Sequence, residues 1–456
     1  MRIALPVLAV SAGTLLLASV AAAEPTPQPS AAAPAAPQAK ALIGVTARPA
    51  LSSTSPAASA SIPIPEPVKL SADPRPTLGP GTFVATMNAA ERYRAIAEGG
   101  GWKIVPADVT LRKPGERTPS VAALRARLAA TGDLPPEFGG GDALDEVVSV
   151  AIRRFQDRHG LPETGLVGPR TLTELNIPVE TRLRQLQASA ARLLGSSFPF
   201  GERYVAVNIP AATVEAVSGG TVARRYVAIV GRAERASPTI AARVQNVNFN
   251  PTWTVPVSLV RKDIIPHMRQ DPGYLAKMRI RILDGQGSEV SPSSIDWSTE
   301  KAVNYTLRQD PGPENSLGEI RIDMPNKLAV YMHDTPSKRL FARNARLQSS
   351  GCVRVAGVRE LAAWLLEGTP GPSGPGSVWG AAEIAAAVAS GQRQDVKLAK
   401  HVPVIWTYLT GYASGDGTVH FREDVYGLDS VAPPPPGGEG RTMDQLVTGA
   451  LGERRP

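Results

Sequence analysis

One cysteine stands in the 456 residues, Cys352, inside the run Leu347-Gln-Ser-Ser-Gly-Cys-Val-Arg-Val355. His333, in Tyr331-Met-His-Asp-Thr-Pro-Ser-Lys338, lies 19 positions upstream. A thiol attacks through its thiolate, so it needs a base or a positive field that lowers its pKa. Histidine, which titrates near neutrality, is the usual supplier. The plain alternative is that Cys352 is a small buried hydrophobe. Three local features bear on the choice. Gly351 lets the backbone turn sharply and come close to a ligand. Ser349 and Ser350 make the approach polar. Val358-Arg-Glu-Leu-Ala-Ala-Trp-Leu-Leu366 reads as an amphipathic helix, which puts Cys352 on a loop feeding a helix N-terminus, where N–H groups and the dipole stabilise an anion. Residue types alone leave a catalytic and a structural cysteine both open.

His-Asp-Thr followed by Ser-x-Gly-Cys-x-Arg resembles the signature of the L,D-transpeptidases, whose catalytic unit is called the YkuD domain. The resemblance runs over about residues 85–428 and takes in Arg203-Tyr-Val-Ala-Val-Asn-Ile-Pro210, Phe249-Asn-Pro-Thr-Trp-Thr-Val-Pro256, Pro311-Gly-Pro-Glu-Asn-Ser-Leu-Gly318 and Asp416-Gly-Thr-Val-His-Phe-Arg-Glu-Asp424. The combination is similar to the large branch of that family, which carries a peptidoglycan-binding helical domain and a substrate-capping segment beside the active site. It implies Cys352 as nucleophile and His333 as its base. The thiolate would attack the bond between the diamino acid and D-Ala of a tetrapeptide stem, form a thioester, and pass the acyl group to an amine of a neighbouring stem, giving a 3→3 crosslink.

The backbone N–H groups around Gly351 and Cys352 are the expected oxyanion donors, with Ser349 and Ser350 beside them. Arg354 could fork onto a substrate carboxylate or form a structural salt bridge. Tyr331 could line the pocket or pack in the core. Ser350 stands where many members carry His, which removes a bulky wall. Asp334 adjoins His333, but strand neighbours point to opposite faces, so only its backbone is left to orient the base. The resemblance also implies that carbapenem β-lactams acylate the cysteine, and it implies no cofactor or metal.

Other chemistries fit less well. Papain-like wall peptidases place the Cys before the His, the reverse of the order here. A zinc amidase needs clustered ligands, which five scattered histidines do not offer. Variants of the same chemistry stay open: water as acceptor (carboxypeptidase), exchange with a D-amino acid, or anchoring of a protein lysine. So does a wall-binding protein without catalysis.

The elements that must position these residues divide the chain. Residues 1–23 read as a signal peptide, with Arg2, an apolar run and Ala21-Ala-Ala23. Cleavage after Ala23 is expected, an uncleaved inner-membrane anchor being the alternative. Residues 24–80 are a Pro/Ala-rich linker expected to be disordered, and residues 81–117 a helical scaffold. At 118–177 comes a three-helix unit: Val121, Leu124 and Leu128 share one helix face behind a capping Thr118, and Val148, Ala151, Ile152 and Phe155 share another. Phe155-Gln-x-x-His-Gly-Leu through Gly168-Pro-x-Thr-Leu resembles a peptidoglycan-binding domain. Residues 178–200 are a connecting helix.

From Arg203 the period changes to 2, with strands at 204–209, 213–217, 225–230, 243–249, 320–323, 329–332, 403–409 and 418–421. This is the catalytic domain, 201–428. Between about 257 and 318 the strand pattern lapses into helices and a polar stretch, expected to be a lid. The tail 429–456 is expected to be disordered. The fold class is multidomain α+β: a β-sandwich-like domain with an inserted lid, plus a small three-helix domain.

The net charge of +8 shows no Lys/Arg run dense enough for nucleic acid. With a leader, it suits an anionic wall polymer in the periplasm or cell wall. Peptidoglycan stem peptides and glycan are the expected partners, with other wall-synthesis proteins admitted. One cysteine leaves no lipid acceptor behind the leader, and in an oxidising compartment a free thiol favours function over structure.

Overall fold

The computed structural model describes residues 70–430 apart from Leu111 and Pro375. The leader, linker residues 24–69 and the tail from 431 lie outside the described residues. No helix among the described residues is long and apolar enough to cross a membrane.

Five helices come first: α1 (Thr82–Glu98), α2 (Pro119–Ala130), α3 (Glu146–Arg158), α4 (Pro169–Leu175) and α5 (Val179–Leu194). The i, i+3, i+4 spacing of their apolar residues makes the small core, where Val121, Leu124 and Leu128 meet Val148, Ile152 and Phe155. Asp145 caps α3 by accepting from the Val148 N–H. Thr118 does not cap α2; its hydroxyl donates instead to Asp108, at 2.8 Å. Buried arginines tie this unit down. Arg158 forms a buried ion pair with Asp133, and Arg127 lies 3.7 Å over Trp102.

The strands are β1 (Arg203–Asn208), β2 (Thr213–Ser218), β3 (Thr221–Gly231), β4 (Ile240–Phe249), β5 (Trp253–Thr254), β6 (Ile280–Leu283), β7 (Glu289–Val290), β8 (Thr306–Gln309), β9 (Ile320–Asp323), β10 (Met332–His333), β11 (Leu347–Ser349), β12 (Val353–Val355), β13 (Gln394–Thr407), β14 (Gly411–Ala413) and β15 (Val419–Phe421). Nine of them form one sheet in the order β11-β3-β12-β10-β9-β4-β13-β1-β2. The first half of long β3 also pairs with β2, so the sheet folds back on itself as a sandwich. Its interior holds Val205, Val247, Ile322, Met332 and Val353, covered by α9 (Val358–Leu365) and α10 (Ala381–Ala389).

The insertion differs from expectation. Helices α6 (Val257–Leu259), α7 (Ile265–Gln270) and α8 (Tyr274–Lys277) are present, with a π-turn at Val260–Ile264. The supposedly polar remainder carries a second sheet, β5-β8-β6-β7, with its own core of Val260, Ile264, Ile282 and Leu307. These strands are short and alternate only over Ile280-Arg-Ile and Thr306-Leu-Arg, so their signal drowns in the surrounding polar residues. The strand expected at 329–332 shrinks to Met332–His333, because Asn326 folds back onto Val330 and holds a turn.

Two boundaries also shift. Residues 70–80 are packed, not free: Leu78 is buried, and the Thr77 N–H and hydroxyl both donate to the Glu215 carboxylate. Asp429 is likewise buried and paired with Arg192.

Candidate active site

Strands β10 and β12 run parallel, with Met332 opposite Val353 and His333 opposite Arg354. Met332 and Val353 are fully buried in the core. Alternation then turns Tyr331, His333, Cys352 and Arg354 to the other face. Val353 N–H donates to the Tyr331 carbonyl, which sets Cys352 alongside Tyr331. The same face continues across β9, where Arg321 pairs opposite His333, and across β4 with Asn246 and Asn248. The result is a polar ledge on an apolar sheet.

The loop before Cys352 is held by named bonds. Gly351 has φ +111, a conformation that strains any residue with a Cβ. Its carbonyl accepts from the Ser237 hydroxyl at 2.8 Å, and its N–H donates to Ser349 Oγ at 3.2 Å. The Ser349 hydroxyl in turn donates to the Cys352 carbonyl. Gly351 N–H is therefore spent within the loop and is not the free oxyanion donor expected. The Cys352 N–H has no hydrogen-bond partner among the described residues. Nor does Cys352 feed a helix N-terminus. β12 intervenes, and α9 begins only at Val358, so the helix dipole drops out.

Burial decides the protonation of the pair. It pushes the Cys352 thiol up, against the Tyr331 N–H and the guanidiniums of Arg354 and Arg321, which pull it down. It pushes His333 down to about 3, helped by Arg354 and opposed by the carbonyl of Asp334. Both shifts favour the neutral forms, and Cys352 as a residue is partly exposed. His333 Nδ1–H donates to the Asp334 carbonyl at 2.5 Å, which orients the ring, and the Leu317 carbonyl also supports it. The Asp334 carboxylate turns away, to Lys338 and the Glu319 N–H.

Tyr331 lies edge-on to His333, ring centroids 5.7 Å apart, beneath the Arg321 guanidinium at 4.8 Å. It packs against the edge of the sheet's core and also reaches the site face. Arg354 forms no salt bridge among the described residues, and its Nε is buried without a partner. Ser350 accepts from Arg235, whose fork also holds Asp263 of the π-turn in the insertion. Arg235, Ser237 and Asp263 carry no motif signal, and sequence reasoning missed them. The other histidines lie elsewhere: His420 is stacked on Tyr412, His159 between Phe155 and Phe421, His267 against Tyr274, and His401 is exposed.

Residues 202–372 match the family "L,D-transpeptidase catalytic domain", and residues 117–175 match "Putative peptidoglycan binding domain". A Haemophilus influenzae protein described as "Putative L,D-transpeptidase" is 34% identical over 224 residues, 49% of this chain and 44% of that protein. The chain thus spans less than half the length of that relative. Among solved structures, an L,D-transpeptidase from Stackebrandtia nassauensis is 14% identical, covering 56% of this chain and 90% of its own, at a TM-score of 0.24. One from Xylanimonas cellulosilytica is 16% identical, covering 66% and 100%, at 0.22.

Proposed function

We propose that this chain, which matches the L,D-transpeptidase catalytic domain over residues 202–372, is a cysteine acyltransferase acting on peptidoglycan stem peptides. The observation that carries the reading is the shared face of Cys352, His333 and Arg354 on two parallel strands, outside an apolar core. A thiol and an imidazole held neutral on one sheet face suit proton transfer during attack rather than a standing ion pair.

In this reading the thiol proton passes to His333 as sulfur attacks the carbonyl carbon between the diamino acid and D-Ala. The oxyanion is met by the Cys352 N–H. The C–N bond breaks, D-Ala leaves with the proton from His333, and a thioester remains on Cys352. A neighbouring stem amine, deprotonated by His333, attacks the thioester and frees the thiol, giving the 3→3 link. Arg354, with an unmatched Nε, is suited to a stem carboxylate. The insertion, tied to the loop at Asp263, suits a lid that excludes water, and water as acceptor would give a carboxypeptidase instead. The substrate lies outside the cytoplasmic membrane, so the reading carries export with it. Residues 117–175 would add wall affinity.

The test is intact-protein and product mass spectrometry after mixing with a disaccharide-tetrapeptide. A thioester mass on Cys352 and a 3→3 dimer are expected, both absent in Cys352→Ala and His333→Ala. An adduct resolving only to tripeptide would assign the acceptor as water. No adduct and no product would leave a wall-binding protein.

A further inference from the structure

A cavity of about 650 Å³ opens between the helical domain and the catalytic domain, and neither Cys352 nor His333 lines it. Three arginines from three separate segments face it: Arg170 at the start of α4, Arg346 just before β11, and Arg422 just after β15. None of the three forms an ion pair with a carboxylate among the described residues. Arg346 donates only to the backbone carbonyls of Arg343 and Ala211, and its Nε is buried without a partner. Arg422 spends one nitrogen on the carbonyls of Arg158 and Phe421. Gly160, at φ +66, leaves room for it, since a Cβ there would meet the guanidinium at 3.0 Å. Burial, then Arg170 and Arg422, lower the pKa of Arg346, so the three positive charges feel one another.

Like charges gathered without counterions are costly, and an anionic ligand relieves the cost. Several carboxylates in the same wall are already occupied: Asp73 by Arg75, Glu174 by Arg182 and Glu215 by Arg225. Asp157, Glu163 and Glu423 also line the cavity. A polyanion is therefore a poor fit, and a zwitterion is a good one. Peptidoglycan stem peptides, with free carboxylates and the ammonium of a diamino acid, have that character.

We propose that this interdomain cavity is a second wall-binding site, in which Arg170, Arg346 and Arg422 hold a free carboxylate of a peptidoglycan stem peptide. The site takes its wall chemistry from the reading above but needs no turnover. It draws on both domains, so wall binding is not confined to the helical unit. Arg346 precedes Cys352 by six residues, on the segment that leads into β11 and then the nucleophile's loop.

The experiment first blocks the catalytic site by alkylating Cys352 with iodoacetamide, then titrates the full-length protein with disaccharide-tetrapeptide by calorimetry. Saturable binding is expected to persist, and to weaken about tenfold in Arg170→Glu and in Arg346→Gln. Arg170 is exposed, so its variant tests charge without touching the core; unchanged thermal unfolding verifies the fold. The same muropeptide with its carboxyl groups amidated is expected to bind at least tenfold more weakly, and the bare disaccharide not at all. Wild-type affinity in both variants would overturn the proposal. So would equal binding of the amidated ligand, saturation by the disaccharide alone, or no binding after alkylation. Thioester formation in unalkylated protein reports separately on the catalytic reading.

Discussion

Arg235 forks onto both carboxylate oxygens of Asp263, at 2.7 and 2.9 Å, and so ties the inserted segment to the loop that carries Cys352. One of the same guanidinium nitrogens also reaches Ser350 Oγ at 3.1 Å. A bidentate pair fixes orientation as well as distance. Asp263 lies in the π-turn, a helix irregularity common at functional positions.

Breaking that fork should loosen the insertion without unfolding the sheet. Because the pair is partly exposed, the stability cost is small, about 1 kcal/mol or less. On the proposed function, Asp263→Ala and Arg235→Ala are each expected to slow thioester formation on Cys352 from a disaccharide-tetrapeptide about tenfold, with little change in Tm. The double variant should be no slower than either single one. Additive losses in the double variant would show that the two residues act separately.

The protonation of the thiol sets a pH dependence. Burial, which holds Cys352 above its ordinary value and His333 near 3, disfavours a thiolate–imidazolium pair at neutral pH. The rate of alkylation by iodoacetamide should therefore climb steadily from pH 6 to beyond 9, about tenfold per unit. Arg354→Gln removes a positive field and should lower the rate at every pH in that range. A plateau of fast alkylation below pH 7 would contradict the neutral pair.

The motif pair was legible because it combines a rare residue with strand alternation: Tyr331, His333, Cys352 and Arg354 flank two apolar residues that must face inward. The sandwich and the three-helix unit were legible from periods of 2 and 3.6. The Arg235–Asp263 tie was not, because 28 residues, including the whole of β4, separate the partners. The helix-dipole argument misled because Val353–Val355, three residues long, is too short to announce itself as a strand. It becomes one only through pairing with β10 and β3. The linker boundary failed at Leu78 and Thr77, whose burial depends on strands more than a hundred residues away.

Buried neutral histidines make the fold acid-sensitive. His333 and His420 are both pushed down to about 3, chiefly by burial, and His159 is pushed well below its ordinary value. In the unfolded chain each takes up a proton near pH 6.5. Between about pH 6.5 and 3 the unfolded state thus binds more protons, and stability falls as pH falls. The loss is about 1.4 kcal/mol per pH unit for each such histidine at its steepest. Tm measured from pH 7 to 4 should drop steadily, and His420→Gln, which can keep a bond to Ser414, should flatten the slope. A Tm that rises on acidification would rule this out.

The loop geometry makes Gly351 a sharper probe than the serines around it. An alanine at φ +111 costs about 1–3 kcal/mol of backbone strain, and the chain relieves it by rotating the peptide that precedes Cys352. That peptide carries the Cys352 N–H, the donor left free for the oxyanion. Losing such a donor slows acyl transfer about 100-fold or more. Gly351→Ala should therefore lower the rate of thioester formation from the tetrapeptide stem by at least that factor while the protein stays folded. Ser237→Ala removes one bond to the Gly351 carbonyl, worth about 1 kcal/mol, and should slow the same reaction only several-fold. Stopped-flow acylation of the two variants distinguishes them. Equal, small effects in both would mean that the oxyanion is met by some donor other than the Cys352 N–H.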